Sequence, residues 1–229
     1  MDEEQKKIIQ AAYDKTVSDF LNGIGPLQSV PGSFKRSKKF RRFLKDTDPG
    51  QTGSDAPEIK EFLRPAAGEK LLDVGCCANL ATKRFDKWPS RYYGIDISPA
   101  LIQAMRNFVR ESAIDIGGLE VAEMTAVPYP DSFFDLAMVI GVFEYVDMDY
   151  ARAAIQEMAR IIKHGGRMVL DLPNPDHPHL ETMFRLEEYL GRPNILKSKT
   201  IFEQSLSSCF RIAHSDESQV MIKYYTIKP

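Results

Sequence analysis

Two acidic residues at corresponding places carry the first chemical information in this sequence. Asp73 lies in Leu71-Leu72-Asp73-Val74-Gly75-Cys76-Cys77-Ala78-Asn79-Leu80, and Asp96 lies in Tyr92-Tyr93-Gly94-Ile95-Asp96-Ile97. Each sits near the end of a short apolar run of strand type. In an open α/β sheet, ligands bind beyond the carboxyl ends of the strands. A glycine at position 75 lets the backbone approach such a ligand closely. A carboxylate at Asp96 can accept hydrogen bonds from both hydroxyls of a ribose. The combination implies an adenosine-type cofactor, a property shared with dinucleotide-binding proteins. The dinucleotide fingerprint, however, needs later glycines for the pyrophosphate and for close helix packing. Cys77 and Leu80 stand where those glycines would be.

Three other groups invite chemistry. His177-Pro178-His179 follows Asp176, but the spacing is not a zinc pattern, so no metal is expected. The segment reads instead as a polar loop at the site entrance, with His177 a candidate substrate contact. Cys76, Cys77 and Cys209 are the three cysteines; two are adjacent, and the odd count argues against a disulfide framework. Cys76 and Cys77 read as small packing residues. The run Lys35-Arg36-Ser37-Lys38-Lys39-Phe40-Arg41-Arg42 places six cations in eight residues. It is either a solvated helix face or a contact for an anionic acceptor or RNA.

The elements that must position these residues follow from periodicity. Residues 3–21 carry Ile8, Ile9, Ala12, Tyr13, Val17, Phe20 and Leu21 on one helical face, and residues 22–26 and 31–32 break it. Residues 34–45 form a basic segment with Phe40, Phe43 and Leu44 on an apolar side, and residues 46–53 read as a loop. Asp55 with Glu58 forms a capping-box pattern, and Pro57 suits a first helical turn. Strands are predicted at 70–74, 91–97, 119–124, 135–140 and 167–172, with helices at 80–87, 99–112 and 149–163. Ser98-Pro99 opens one helix as N-cap and N1 proline, and Gly165-Gly166 stops another. Residues 210–215 and 219–228 read as a hairpin around Asp216-Glu217-Ser218. Alternating strands and helices imply a doubly wound α/β fold. The expected sheet is seven-stranded and mostly parallel, with a C-terminal antiparallel hairpin.

Residues 71–172 resemble class I (Rossmann-like) S-adenosylmethionine-dependent methyltransferases of the small-molecule type. Asp73-Val74-Gly75-Cys76 looks like their first motif and Asp96 like their ribose-binding acid. Ala122-Glu123-Met124, ahead of Val127-Pro128-Tyr129-Pro130-Asp131, looks like the adenine-contacting segment. Phe134-Asp135-Leu136 through Gly141-Val142-Phe143-Glu144-Tyr145-Val146 looks like the fourth strand and its exit. Lys163-His164-Gly165-Gly166 and Leu170-Asp171-Leu172 look like the approach to the fifth strand and the strand itself.

The resemblance implies S-adenosyl-L-methionine as cofactor and S-adenosyl-L-homocysteine as product. It implies cofactor contacts at Asp73, Gly75, Cys77, Asp96, Ile97, Glu123, Met124 and Ile140. Asp73 would meet the methionine ammonium, directly or through water. The family usually has glycines where Cys77 and Asn79 stand, and often His where Tyr145 stands. Glu144 and Tyr145 are the catalytic candidates; Tyr13, Tyr145 and His177 are the substrate-binding candidates.

Length and composition bound the rest. The 229 residues suit one domain with a cap: a helical cap or lid over 1–55 and a methyltransferase domain over 56–229. A hydrophobic share of 43% and a net charge of −2 suit a globular protein and exclude a polycation. No stretch reads as a signal peptide or membrane span, so a cytoplasmic location and no membrane partner are expected. Cover by the N-terminal segment and by residues 173–199 favours a small-molecule acceptor. The alternatives are an RNA or protein methyltransferase docking through residues 35–42, a non-catalytic S-adenosyl-binding protein, and a nucleotide-dependent oxidoreductase.

Overall fold

The computed structural model describes residues 3–25, 27–47 and 56–229. The sheet has the order β3-β2-β1-β4-β5-β7-β6. Its strands are β1 (Lys70–Val74), β2 (Arg91–Asp96), β3 (Gly118–Val121), β4 (Phe134–Val139), β5 (Ile162–Pro173), β6 (Arg211–Asp216) and β7 (Met221–Ile227). The first five strands pair in parallel, and β7 pairs antiparallel with both β5 and β6. The order reverses at β1, where β2 lies on one side and β4 on the other. A crevice opens at the carboxyl ends of strands at such a reversal.

Helices cover both faces because the strand residues alternate. Leu72, Val74, Ala137, Val139 and Leu170 pack with Ala151, Ile155, Met158 and Phe202 from α7 (Met148–Ile161) and α9 (Lys199–Ser207). Leu71, Leu136, Met138 and Val169 pack on the other face. There they meet Ile59 and Leu63 of α4 (Pro57–Leu63), Leu80 of α5 (Asn79–Lys83), and Ile102 and Met105 of α6 (Pro99–Glu111). This period-two division is what a sheet buried on both faces requires. Ser98 caps α6 through its Oγ, which accepts the Leu101 N–H at 3.0 Å, with Pro99 at the first helical position.

Several expected boundaries move. The expected helix at 80–87 is two pieces, α5 and a single 3-10 turn over Phe85–Lys87, divided at Arg84, whose φ is 57°. Gly165-Gly166 does not stop α7. Ile162 is already extended at φ −85° and ψ 137°, and it pairs with Phe134. Helix α7 thus passes into β5 with no loop, and the glycine pair lies inside the strand, where the register with β4 shifts between Phe134 and Leu136. Residues 173–199 are not all loop, since they contain α8 (Leu180–Tyr189).

Helix α1 (Glu3–Leu21) forms as expected, but Ile8 is 45% exposed while Ile9 is buried. Phe20 and Leu21 have side chains outside the described residues, as do Asp48–Asp55, including the expected capping partner Asp55. The N-cap of α4 is Ala56, with Pro57 in the first turn. The basic segment forms α2 (Gly32–Arg36) and α3 (Lys38–Thr47), so Asp46 and Thr47 are helical rather than loop. Phe40 and Phe43 are buried and Leu44 is half-buried.

Candidate functional site

The turn after β1 is shaped by two residues of positive φ. Gly75 has φ +66°, and a Cβ there would lie 2.5 Å from Val142 Cγ2. Only glycine suits both demands. Cys77 has φ 42°, a left-handed conformation carried by a side chain. It persists because the surroundings fix it. The Cys76 N–H donates to the Ile95 carbonyl at 3.0 Å and the Asn79 N–H to the Cys76 carbonyl at 2.8 Å. The Cys77 N–H donates to Asp96 Oδ2 at 2.9 Å. The other Asp96 oxygen accepts the Ser98 N–H at 2.9 Å. Asp96 thus ties the ends of β1 and β2 together, and its remaining lone pairs are available to a ligand. Burial holds its pKa above the ordinary carboxylate range.

Asp73 lies beneath this turn, 1% exposed. Its Oδ2 accepts from Tyr92 Oη at 2.8 Å and from Asn79 Nδ2 at 3.2 Å. Burial pushes its pKa to about 7. Asn79 therefore supplies a side chain that glycine could not, and it is directed at Asp73. Burial, reinforced by Asp96, pushes the Cys77 thiol up to about 11, so it is a neutral group at physiological pH.

A cavity open to solvent lies at the reversal point. Val74, Gly75, Cys77, Asp96, Ile97 and Met124 line its sheet side. Gly141, Val142, Tyr145 and Val146 line the wall that leaves β4, and Tyr150 adds the start of α7. Ile9 and Tyr13 of α1 close it from above. Gln5 Nε2 donates to the Tyr145 carbonyl at 2.7 Å, Lys6 pairs with Glu123, and the Ser98 hydroxyl bonds Asp14. Helix α1 thus lies across the carboxyl ends of the strands.

Of the residues expected at the site, Gly75, Cys77, Asp96, Ile97, Met124, Tyr13 and Tyr145 meet at this cavity. Asp73 lies below it, as described. Glu123 pairs with Lys6 and lies within 3.5 Å of Tyr150 Oη, on the outer side. Ile140 packs into the core on the α4–α6 face. His177 lies elsewhere: its Nδ1 accepts the His179 N–H at 3.2 Å, and His179 Nε2 is 2.8 Å from Asp46 of α3. The basic run makes bonds within the protein. Lys35 Nζ donates to the Leu27 carbonyl, Lys39 pairs with Glu181, Arg41 bonds the Arg36 carbonyl and Arg42 pairs with Asp46.

A polar cluster adjoins the cavity at Tyr13 and Tyr145. Tyr13 Oη lies 3.3 Å from Tyr145 Oη, and Tyr145 Oη donates to Glu187 Oε2 at 2.8 Å. Arg192 Nε is 3.0 Å from the same Glu187 oxygen, and its guanidinium sits 4.9 Å from the centre of the Tyr13 ring. Glu144 is 7% exposed; burial and the neighbouring Asp171 carboxylate raise its pKa. Burial raises Tyr13 to about 12 and raises Tyr145 as well. Residues 192–197 are laced to this wall: the Ile195 N–H donates to the Glu144 carbonyl at 2.7 Å, and Lys197 Nζ donates to the Phe143 carbonyl at 2.5 Å. Sequence reasoning missed Ile9, Val142 and Tyr150 at the cavity and Glu187, Arg192 and Lys197 beside it. The apolar spacing of Leu180, Met183, Phe184 and Leu186 was the one local signal of the helix that carries Glu187.

A family model described as "Methyltransferase domain" matches residues 72–170. An uncharacterized methyltransferase, YcgJ of Bacillus subtilis, is 24% identical over 153 residues, which is 66% of this chain and 59% of that protein. The aklanonic acid methyltransferase DauC of Streptomyces sp. is 30% identical over 119 residues, 50% of this chain and 53% of that protein. The chain thus spans about half the length of such curated relatives. The structure of magnesium protoporphyrin IX methyltransferase from Synechocystis, with bound S-adenosylhomocysteine, superposes with a TM-score of 0.67 at 13% identity, covering 98% of this chain and 100% of that one. Residues 72–170 thus match a methyltransferase domain, and the strand order and the turn after β1 give them the Rossmann-like α/β fold.

Proposed function

We propose that the chain is an S-adenosylmethionine-dependent methyltransferase that acts on a small molecule. The observation that carries this reading is the cradle at the sheet reversal. A glycine that admits no Cβ, a buried carboxylate with spare acceptor capacity and an apolar slot lie side by side. These residues fit the cofactor. Asp96 would accept the ribose hydroxyls, and Ile97 and Met124 would flank the adenine. Gly75 and Cys77 would lie along the methionine chain, with Asp73 acting on its ammonium group through Asn79 or water. Glu123 and Ile140 would act from outside this contact set.

When bound, the cofactor supplies an electrophilic methyl group. The chain's own residues then have to orient a nucleophile and exclude water. Helix α1 supports the second role, since Ile9 and Tyr13 close the cavity while Gln5 and Lys6 fasten the helix to its rim. This favours residues 1–55 as a cap on a 56–229 catalytic domain. The bonds made by the basic run within the protein favour a structural role for residues 35–42 over docking of RNA or protein.

Isothermal titration calorimetry tests the cofactor assignment. S-adenosylhomocysteine should bind with micromolar affinity, about −8 kcal/mol. Binding of NADH with no S-adenosyl binding would overturn it.

A further inference from the structure

A second cavity lies at the seam between the basic helices and α8, and it shares no lining residue with the cavity at the sheet reversal. Ser33, Ser37 and Lys39 reach it from α2, α3 and the residue between them. Glu181, Thr182 and Arg185 reach it from α8. Phe34 and Tyr189 add aromatic surface, with ring centres 5.1 Å apart. Positions 181, 182, 185 and 189 share one face of a helix. Glu187, which accepts the Tyr145 hydroxyl, lies on another face of α8.

The polar groups of this cavity are mostly donors. Ser37 Oγ already accepts the Phe40 N–H at 3.1 Å, so its own proton is left to donate. Thr182 is 4% exposed yet lines the cavity, so the little of it that is open faces this space. Among the described residues no carboxylate forms an ion pair with Arg185, whose guanidinium stands 5.9 Å from the centre of the Phe34 ring. Lys39 Nζ is 3.0 Å from Glu181 Oε2, but these side chains are 74% and 65% exposed. An exposed pair of this kind contributes little, and the ammonium group has further hydrogens to give. Among the described lining residues Glu181 is the one carboxylate. Its bond to Lys39 holds its pKa below the usual range, so it is ionised at neutral pH.

Two cations and three hydroxyls thus face one carboxylate, and the donors come from two sides. A planar carboxylate ligand would present two oxygens and one charge. A phosphoryl group presents three strong acceptor oxygens and a charge of about −1.5 to −2, and it suits donors that converge from two sides. We propose that this second cavity binds a phosphoryl group, carried by a small phosphate monoester or by inorganic phosphate. Arg185 and Lys39 supply the charge, Ser33, Ser37 and Thr182 donate hydrogen bonds, and Phe34 and Tyr189 take the organic body of a monoester. The bound anion joins the basic helices to α8. The proposal goes beyond the methyltransferase reading and does not depend on it.

The test uses the full chain in phosphate-free buffer at low ionic strength. Inorganic phosphate, phenyl phosphate and benzoate are titrated by calorimetry, with phosphorus NMR as a second readout for the first two. Both phosphates should bind, and benzoate should bind at least about tenfold more weakly. Tighter binding of phenyl phosphate assigns an organic monoester seated against Phe34; tighter binding of inorganic phosphate assigns the free ion. Arg185→Met should weaken the phosphates about tenfold and Thr182→Val about threefold. Glu181→Gln removes a like charge and should tighten them about threefold, a change of opposite sign that a purely structural role would not produce. All three variants should keep a cooperative melt, since Glu181 and Arg185 are exposed and valine nearly matches threonine in shape. Saturating S-adenosylhomocysteine should leave phosphate binding unchanged. Competition between the two would place the anion in the first cavity and overturn the proposal. Equal phosphate affinity in wild type and in folded Arg185→Met would also overturn it, as would benzoate binding as tightly as the phosphates, or no binding of either phosphate.

Discussion

The two halves of the cavity are built on opposite plans. The half that would hold the cofactor, from Asp73 to Ser98, is closed upon itself. Both Asp96 oxygens accept backbone N–H groups, and Asp73 Oδ2 is held by Tyr92 and Asn79. The opposite half, around Tyr13, Glu144, Tyr145 and residues 187–197, keeps two unpaired buried acceptors, Glu144 Oε2 and Asn194 Oδ1. The first half is drawn from 26 consecutive residues of the chain, Asp73 to Ser98. The second is drawn from α1, the exit of β4 and the stretch after α8. A fully satisfied network rigidifies a site, whereas a partly satisfied one is costly until a ligand completes it. The contrast teaches that the turn after β1 is preorganised, whereas the wall opposite leaves buried acceptors unsatisfied.

Substitutions at Glu144, one of the two catalytic candidates, should separate the halves most strongly. Glu144→Gln should lower methyl transfer by about 10²–10⁴-fold, the usual worth of a proton-transfer group, and leave S-adenosylhomocysteine affinity unchanged. In the wild-type chain Glu144 accepts a proton only when ionised, and burial and Asp171 place that ionisation above the ordinary carboxylate range. The specificity constant should therefore rise as pH rises through neutrality. A flat profile between about pH 5 and 9 would remove Glu144 from the chemistry, since an ordinary glutamate titrates near 4.3.

Gly75→Val attacks the other half. It places a β-branched residue at φ +66° and a carbon 2.5 Å from Val142 Cγ2. The strain is worth about 3 kcal/mol, so cofactor affinity should fall about 100-fold in calorimetry. Retained micromolar affinity would show that the turn yields more readily than its geometry implies. Asp96→Ala should cost less, about 1.5–3 kcal/mol of cofactor affinity, through lost charge-assisted hydrogen bonds. No change would detach Asp96 from the ribose.

The smallest effect is expected at Cys77. Its left-handed conformation is disfavoured for a residue with a Cβ, so Cys77→Gly should leave cofactor affinity unchanged or improve it by up to about 1 kcal/mol. Loss of affinity would mean that the thiol itself contacts the ligand. Protection of Cys77 from alkylation by S-adenosylhomocysteine gives an independent check on its place at the cavity.

The sequence disclosed these halves unequally, for the same physical reason. Asp73, Gly75 and Asp96 were legible because they sit at strand ends whose apolar runs and spacing are local properties. The strand order, the Ser98 cap and the C-terminal hairpin were legible on the same ground. Glu187 and Arg192 were not, because nothing in their own segment brings them to Tyr13 and Tyr145 across the length of the chain. Their placement depends on Ile195 bonding Glu144 and Lys197 bonding Phe143. His177 is placed away from the cavity for another reason: a polar loop after β5 was expected at the entrance, and the neighbouring His179 is drawn toward Asp46 and Phe43 of α3. Gly165-Gly166 was misread because a glycine pair after a helix has the form of a stop, whereas here it permits a register shift.

That last junction has a consequence for how the protein opens. Helix α7 and strand β5 share no slack, since Ile162 is at once the C-cap of one and the first paired residue of the other. Gly166 is hemmed by Ile162 Cγ2, the Lys163 carbonyl and the Asp135 carbonyl, at 2.5, 2.8 and 3.0 Å from where a Cβ would lie. The last turn of α7 therefore cannot fray outward without pulling β5 from between β4 and β7. Regions so joined open as one cooperative unit. In native-state hydrogen exchange, the amides of Ala154–Ile161 and of Met168–Leu172 should share a single opening free energy equal to that of global unfolding, whereas α1 should exchange through smaller, local openings.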